Sequence, residues 1–372
     1  MLDNKLAEYL SHIKTPCQRA MEEAQLRLDS LVKPPGSLGR LEDIAIALSG
    51  ISGKINNTYD KRCVIIMASD NGVVEEGISS APQNITHLMT LNFSKGITGA
   101  AVLAKQFNSD LIVVDIGVNA DIEAGQAQIK NKKIRKSTWN IARQAAMTRE
   151  EALKAIIIGI DTAIEAVKDG YTLLGAGEMG IGNTTTSAAV LCALTGIPPE
   201  KAAGKGAGLD NKAYEKKISV VKTALNINKP NPDDPVEIIA KVGGFDIAAM
   251  TGLYIGAAYL KVPIVIDGFI SIVAALAASR LNPIIKNYMF ASHASYEQGF
   301  DHAAKALGIQ PYLYMNMRLG EGSGCPLMFA MIDAACAVIN NMGTFKQASI
   351  SEEYLNKIND SSNFTINLLY NK

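Results

Sequence analysis

The chain is short of histidine, of tryptophan and of any charge imbalance. Four histidines, one tryptophan and 6% aromatic residues in 372 are too few rings for an all-β sandwich. Lys plus Arg and Asp plus Glu number 36 each, a formal net charge of zero. Binding to nucleic acid or to an anionic membrane draws on a basic excess that this chain lacks. The five cysteines, Cys17, Cys63, Cys192, Cys325 and Cys336, are scattered with no CxxC pair, so most read as buried, reduced thiols. With no Cys/His cluster either, no metal site is expected. A GxSxG elbow is missing, which disfavours a Ser-His-Asp hydrolase. No uninterrupted apolar run reaches the ~18–20 residues of a membrane span, and the first residues lack a signal-peptide pattern. A cytoplasmic enzyme with no membrane or nucleic-acid partner is the expectation.

What is present is a long, ordinary soluble composition, 48% hydrophobic and 19% charged, with more residues than one core usually organises. Residues 2–32 place Leu6, Tyr9, Leu10 and Ile13, then Met21, Ala24, Leu28 and Leu31, at helical spacing. Pro34, Pro35 and Gly36 stop that pattern, and another helix starts near Leu41. From Val64 onward come short continuous apolar runs at 64–68, 111–114, 172–174, 264–266, 288–291 and 312–317. Each ends in a polar or glycine-rich turn and leads into a helical stretch. Uninterrupted apolar strands are covered on both faces, and helices between them imply parallel crossovers. The fold class is therefore α/β: a doubly wound, mainly parallel Rossmann-like sheet flanked by helices. Its ligands would bind beyond the carboxyl ends of the strands. Residues 327–342 form an apolar helix expected to be buried, and a further helix is expected near 351–358. Residues 1–60 and 330–372 are read as a small helical domain from the chain ends, and 61–329 as the large α/β domain with the active site.

Several segments carry candidate chemistry. Residues 317–324 (MRLGEGSG) set one carboxylate, Glu321, among three glycines ahead of a helix. Such a loop lets backbone and ligand approach closely, although a carboxylate there can also serve the helix start. Residues 175–185 (GAGEMGIGNTT) form the densest glycine loop and are expected to run into a helix over 187–194. Free amides at a helix start suit phosphate. GxGxxG from Gly175 to Gly180 leaves a nicotinamide-dependent oxidoreductase open, but the ribose-binding acid expected about 20 residues on is not at a strand end. Glu178 in that loop is a second exposed carboxylate, able to pair with Glu321 as stabiliser and base. Residues 204–210 form another glycine turn, with Lys216 and Lys217 following on a helix. Asp70-Asn71-Gly72 and Asp267-Gly268 end strands, where Asp commonly orders a turn. His293 is either a base or a structural histidine.

Taken together, these segments resemble the nicotinate-nucleotide:dimethylbenzimidazole phosphoribosyltransferase family. The matching stretches are 33–42 (KPPGSLGRLE), 70–86 (DNGVVEEGISSAPQNIT), 140–152 (NIARQAAMTREEA), 177–185 (GEMGIGNTT), 243–252 (GGFDIAAMTG), 267–268, 292–299 (SHASYEQG) and 318–324 (RLGEGSG). The resemblance implies transfer of phosphoribose from nicotinate mononucleotide to an aromatic base in cobamide assembly, with no cofactor and no metal, by a homodimer. It implies Glu321 as the general base and Glu178 as the second catalytic carboxylate. Gly180, Gly182, Asn183, Gly206, Lys217 and Ser295 would hold phosphate and ribose; Gln83, Leu319 and Ser79 would meet the base. The pattern departs from many relatives at Asn71, at Glu75 and at Ala81, where an aromatic is common. The bound base is thus left open among dimethylbenzimidazole, simpler benzimidazoles, purines and phenols, a phenol-activating variant with a partner subunit included. A non-catalytic nucleotide-binding module would keep the glycine loops without needing Glu321.

Overall fold

The structure is a computed structural model and describes residues 2–122, 129–206 and 208–351. By internal contacts the chain divides into two compact units, one of Met1–Lys14 with Lys61–Met328, the other of the described residues in Thr15–Asp60 and Phe329–Lys372.

The larger unit is built on one six-stranded sheet: β1 (Arg62–Ser69), β2 (Asp110–Gly117), β3 (Ile129–Asn131), β4 (Leu173–Met179), β5 (Ile264–Ile266) and β6 (Met289–Ala291). The spatial order is β3-β2-β1-β4-β5-β6, and every pairing between these strands is parallel. All eight residues of β1 and all seven of β4 are buried, as the continuous apolar runs require. The order reverses between β1 and β4, which opens a crevice beyond their carboxyl ends.

Helices cover the sheet closely where residues are small. A Cβ on Gly252 would lie 1.8 Å from Ile156 O, and one on Gly159 would lie 1.9 Å from Ala249 O. Any larger residue would hold helices Arg149–Lys168 and Phe245–Tyr259 apart. The first of these starts at a capping box between Thr148 and Glu151. Helix Leu2–His12 belongs to this larger unit and not with 15–60 as the expected boundary had it. Tyr9 meets Tyr259 edge-on at 5.1 Å, and Asn282 Nδ2 donates to Leu10 O at 3.0 Å.

Two expectations fail in detail, and one strand was not expected. Residues 312–317 form no strand; Leu313 makes a single parallel bridge to His293, because polar Asn316 and a turn at positive φ interrupt pairing. The short edge strand β3 gave no sequence signal, with two charged or polar residues in three. The apolar helix runs Cys325–Asn341 and is buried on one side only, Asp333 and Ala337 being exposed. Residue 351 is not helical, and the rest of the helix expected over 351–358 lies outside the described residues.

In the smaller unit, helices Gln18–Asp29 and Arg40–Ser52 bury Ala24, Leu28, Ile44 and Leu48. Lys33 Nζ and Glu42 Oε1 form an ion pair at 2.9 Å, with side chains 5% and 1% exposed. Glu42 Oε1 also accepts the Leu38 amide at 2.9 Å. The 33–42 motif is therefore a closed, internally paired turn.

Candidate active site

A cavity of about 310 Å³ opens beyond the carboxyl ends of β4 and β5. Its walls include Glu178, Gly180, Gly182, Asn183, Gly206, Ser295, Leu319 and Glu321, together with Ser79. The structure thus gathers nine of the eleven expected site residues from segments far apart in sequence. Gln83 and Lys217 are the two outside the lining. Gln83 Oε1 accepts from Asn119 Nδ2 at 3.2 Å. Lys217 stands one residue behind the wall, donating from Nζ to Thr184 Oγ1 at 2.8 Å and to Gly204 O at 3.0 Å.

Glu321 owes its position to its backbone. Gly320, Glu321 and Gly322 have φ of 80°, 62° and 78°, a left-handed run that costs little at the glycines and is strained at the glutamate. The run is fixed from three sides. The Gly322 and Gly324 amides donate to Asp267 Oδ2 and Oδ1 at 3.0 and 2.7 Å, and the Glu321 amide donates to Glu178 Oε1 at 3.3 Å. A Cβ on Gly177 would lie 2.8 Å from Glu321 O and 2.9 Å from Gly322 Cα, so the loop rests directly on bare strand backbone. The Glu321 carboxylate accepts the Ala100 amide at 3.3 Å, at the start of helix Gly99–Gln106. That hydrogen bond favours the ionised form, yet burial outweighs it and pushes the Glu321 carboxyl above its ordinary range.

Glu178 differs from the exposed loop carboxylate expected. Strand β4 extends through Gly175 and Gly177 to Met179, so the GxGxxG segment is mostly strand, and Glu178 is a buried strand-end residue, 6% exposed. The true turn is Gly180 to Gly182, and the following helix starts at Asn183, four residues before its expected start. Asn183 Nδ2 donates both to Glu178 Oε2 and to Asp246 Oδ2, the latter at 3.1 Å. Burial first, and the Asp246 charge second, raise the Glu178 carboxyl to about 8. Burial also lifts Asp267 to about 7 and Asp246 to about 6.

Asp246 escaped sequence reasoning, although an aspartate opening a helix of fourteen buried residues was a visible signal. Asp267 does not merely order its own turn; it holds the Glu321 loop. His293 is 1% exposed, lies 3.0 Å from Ser292 Oγ at Nδ1, and is lowered to about 4 by burial. It is therefore neutral and structural. Cys325, whose Sγ approaches Val265 O at 3.6 Å, is fully buried with its thiol pushed far up, a packing residue and not a nucleophile.

The cavity lining is of two chemical kinds. Ala81, Ile85, Met89 and Leu319 are apolar, Leu319 standing beside Glu321 at Gly99. The rest includes the Gly180–Gly182 turn, Gly206, Ser295 and Arg318, with Lys217 behind Thr184. Lys217 is 1% exposed, and burial lowers its ammonium to about 8. Among the described residues no group of three or more His, Cys, Asp and Glu is placed to hold a metal ion. Nor is any helix among them long and apolar enough to cross a membrane.

A phosphoribosyltransferase family model, DBI_PRT, matches residues 13–350. A Clostridium perfringens protein named nicotinate-nucleotide–dimethylbenzimidazole phosphoribosyltransferase is 54% identical over 344 residues, covering 92% of this chain and 95% of its own. A Clostridium tetani protein of the same name is 50% identical, covering 93% and 95%. The crystal structure of CobT from Thermus thermophilus superposes with a TM-score of 0.86 at 37% identity, covering 90% of this chain and 99% of its own.

Proposed function

Because the chain belongs to the DBI_PRT phosphoribosyltransferase family, we propose that it transfers phosphoribose from nicotinate mononucleotide to dimethylbenzimidazole or a closely related base. The products are the α-linked riboside phosphate and nicotinate, a step in assembling the lower ligand of cobalamin. The observation that carries this reading is Glu321: a buried carboxylate with a raised pKa, held in a cavity lined both by apolar side chains and by the glycine turn and serine that suit an anion.

In this reading the base lies against Ala81, Ile85, Met89 and Leu319, with Ser79 at its edge. Glu321 takes the proton from one ring nitrogen while the other attacks C1′, and a carboxyl raised toward neutrality is a better proton acceptor than an ordinary glutamate. The sugar enters β-linked and leaves α-linked, so a single in-line displacement opposite the departing nicotinate accounts for the stereochemistry. Glu178 lies between Glu321 and Asn183 and faces the reacting carbon, where electrostatic stabilisation is worth most in a dry site. Lys217, through the Thr184 and Gly204 framework, supplies positive charge to the 5′-phosphate alongside the amides of Gly180, Gly182 and Gly206. Gln83 supports the base pocket through Asn119. The enzyme is read as a homodimer, as the family resemblance implies.

Chromatography of nicotinate released from nicotinate mononucleotide, with dimethylbenzimidazole, benzimidazole, adenine and phenol supplied separately, tests the reading. Base-dependent release with an α-linked co-product is expected, dimethylbenzimidazole being the best acceptor. Release without base, or none with any base, would overturn it.

A further inference from the structure

The polar lining of the cavity already includes an anion of the chain's own. Glu297 belongs to it with Gly206, Ser295 and Arg318. Its carboxylate accepts a hydrogen bond from the Gly206 amide and feels the charges of Lys217 and Arg318. Its Oε2 is pressed against Gly204 so closely that a Cβ there would stand 1.9 Å away, and that oxygen is buried without a hydrogen-bond partner. On the other side, Glu297 is the charged group that acts on buried Lys217. The carboxylate therefore sits among the groups that a substrate phosphate would use, bonded to the Gly206 amide and acting on Lys217 through charge alone.

We propose that Glu297 is a resident counter-ion, yielding the Gly206 amide and Lys217 to the 5′-phosphate and taking up one proton from solvent as it does so. This rests on the phosphate assignment above. Two anions facing one ammonium and one amide in a dry pocket repel each other, and protonation of the weaker acid removes the conflict. The neighbouring charges do not compensate. Glu200 pairs with Lys222, Lys205 Nζ donates to Asn211 at 2.8 Å, and Tyr214 donates to Gln298 at 3.1 Å. Among the described residues, Lys217 and Arg318 are the charges that act on the Glu297 carboxyl. Burial already pushes that carboxyl up, so the approach of a phosphate completes a shift that the fold has begun. Before the nucleotide arrives, the same carboxylate keeps Lys217 charged despite its burial. Glu297 is thus a positioning residue whose role is to hold the phosphate donors ready.

Calorimetric titration of nicotinate mononucleotide into the whole chain at pH 7, without base, in two buffers of different ionisation enthalpy counts the protons exchanged. The wild type should take up roughly 0.5–1 proton per nucleotide. Nicotinate riboside, which lacks the phosphate, should take up none. E297Q should bind the mononucleotide with less uptake than the wild type, what remains being the proton that Lys217, deprived of its partner, regains when the phosphate replaces it. Equal proton uptake by wild type and E297Q, or by mononucleotide and riboside, would overturn the proposal; the second comparison needs no variant and stands even if E297Q does not fold. Failure of the wild type to bind mononucleotide would instead sink the reading of the cavity itself.

Discussion

Two buried charge centres of the molecule, the acidic cluster around Glu178 and the ammonium of Lys217, solve opposite problems with opposite means. In the acidic cluster, Glu178, Asp246, Asp267 and Glu321 are brought together although they repel, and backbone amides plus the Asn183 side chain hold them there. At Lys217, a single buried ammonium is held by a hydroxyl and a carbonyl. Burial raises the carboxyls toward neutrality, with neighbouring carboxylates adding to it, and the same burial lowers the lysine toward it. The lesson is that one physical term makes a proton acceptor of an acid and a titratable cation of a lysine, depending only on the charge it acts upon.

The contrast is sharpest at Glu321. E321Q should lose roughly 10²–10⁴-fold in turnover, the range of a positioned general base, while nucleotide affinity measured by titration stays within about threefold. Comparable loss of affinity would mean that the two centres are not separable. K217M should do the reverse, raising KM for the nucleotide roughly 10–100-fold, the worth of one charge-assisted hydrogen bond, with kcat changed far less; initial-rate kinetics over nucleotide concentration decide it. G177A tests the support of the acidic cluster alone. Its Cβ would meet Ile66 Cδ1 at 2.5 Å as well as the Glu321 loop, so chemical denaturation should report a loss of about 1–3 kcal/mol, together with a fall in kcat and little change in nucleotide KM.

The smallest expected effect is a pH dependence of stability. Glu178, Asp267 and Asp246 all have folded pKa values raised above their unfolded ones, to about 8, 7 and 6. The folded state therefore binds more protons than the unfolded state above the ordinary carboxylate range. The stability they contribute is fully present below pH ~4 and is lost as pH rises through those folded values. Melting temperature should fall from pH 5 to pH 8.5, and E178Q should flatten the upper part of that fall. A rise over the same interval would show the acidic cluster to be far better solvated than its burial indicates.

Much of this was legible in the sequence. Parallel α/β architecture followed from apolar runs with no alternation, and five of the six strands coincide with those runs. Glu321 stood out because a charge among glycines has few structural excuses. What misled was glycine itself. Gly175 and Gly177 look like loop residues by propensity, yet they lie inside β4, and at Gly177 the Glu321 loop rests on bare backbone, a requirement set by residues far along the chain. The same blindness hid not Glu178 and Lys217 themselves but their burial, that of Glu178 created by the docking loop and that of Lys217 giving no sign in sequence beside exposed Lys216. Asp246 was overlooked because its partners, Asn183 and Asn71, come from other elements. Local pattern reports what a residue prefers, while pairing across the fold decides what it meets.

The hydrogen bond between Glu321 and Glu178 spans 143 residues of sequence, and this separation has a consequence during synthesis. At about 5–20 residues per second, the strand that carries Glu178 leaves the ribosome roughly 7–30 s before the loop that rests on it. For that interval β4 presents a glycine-rich, acid-bearing edge with nothing docked on it, and the nascent chain lacks Glu321. Catalytic competence therefore arrives in one late step, with the emergence of the residues around Asp267 and then Glu321, however early the rest of the sheet has formed.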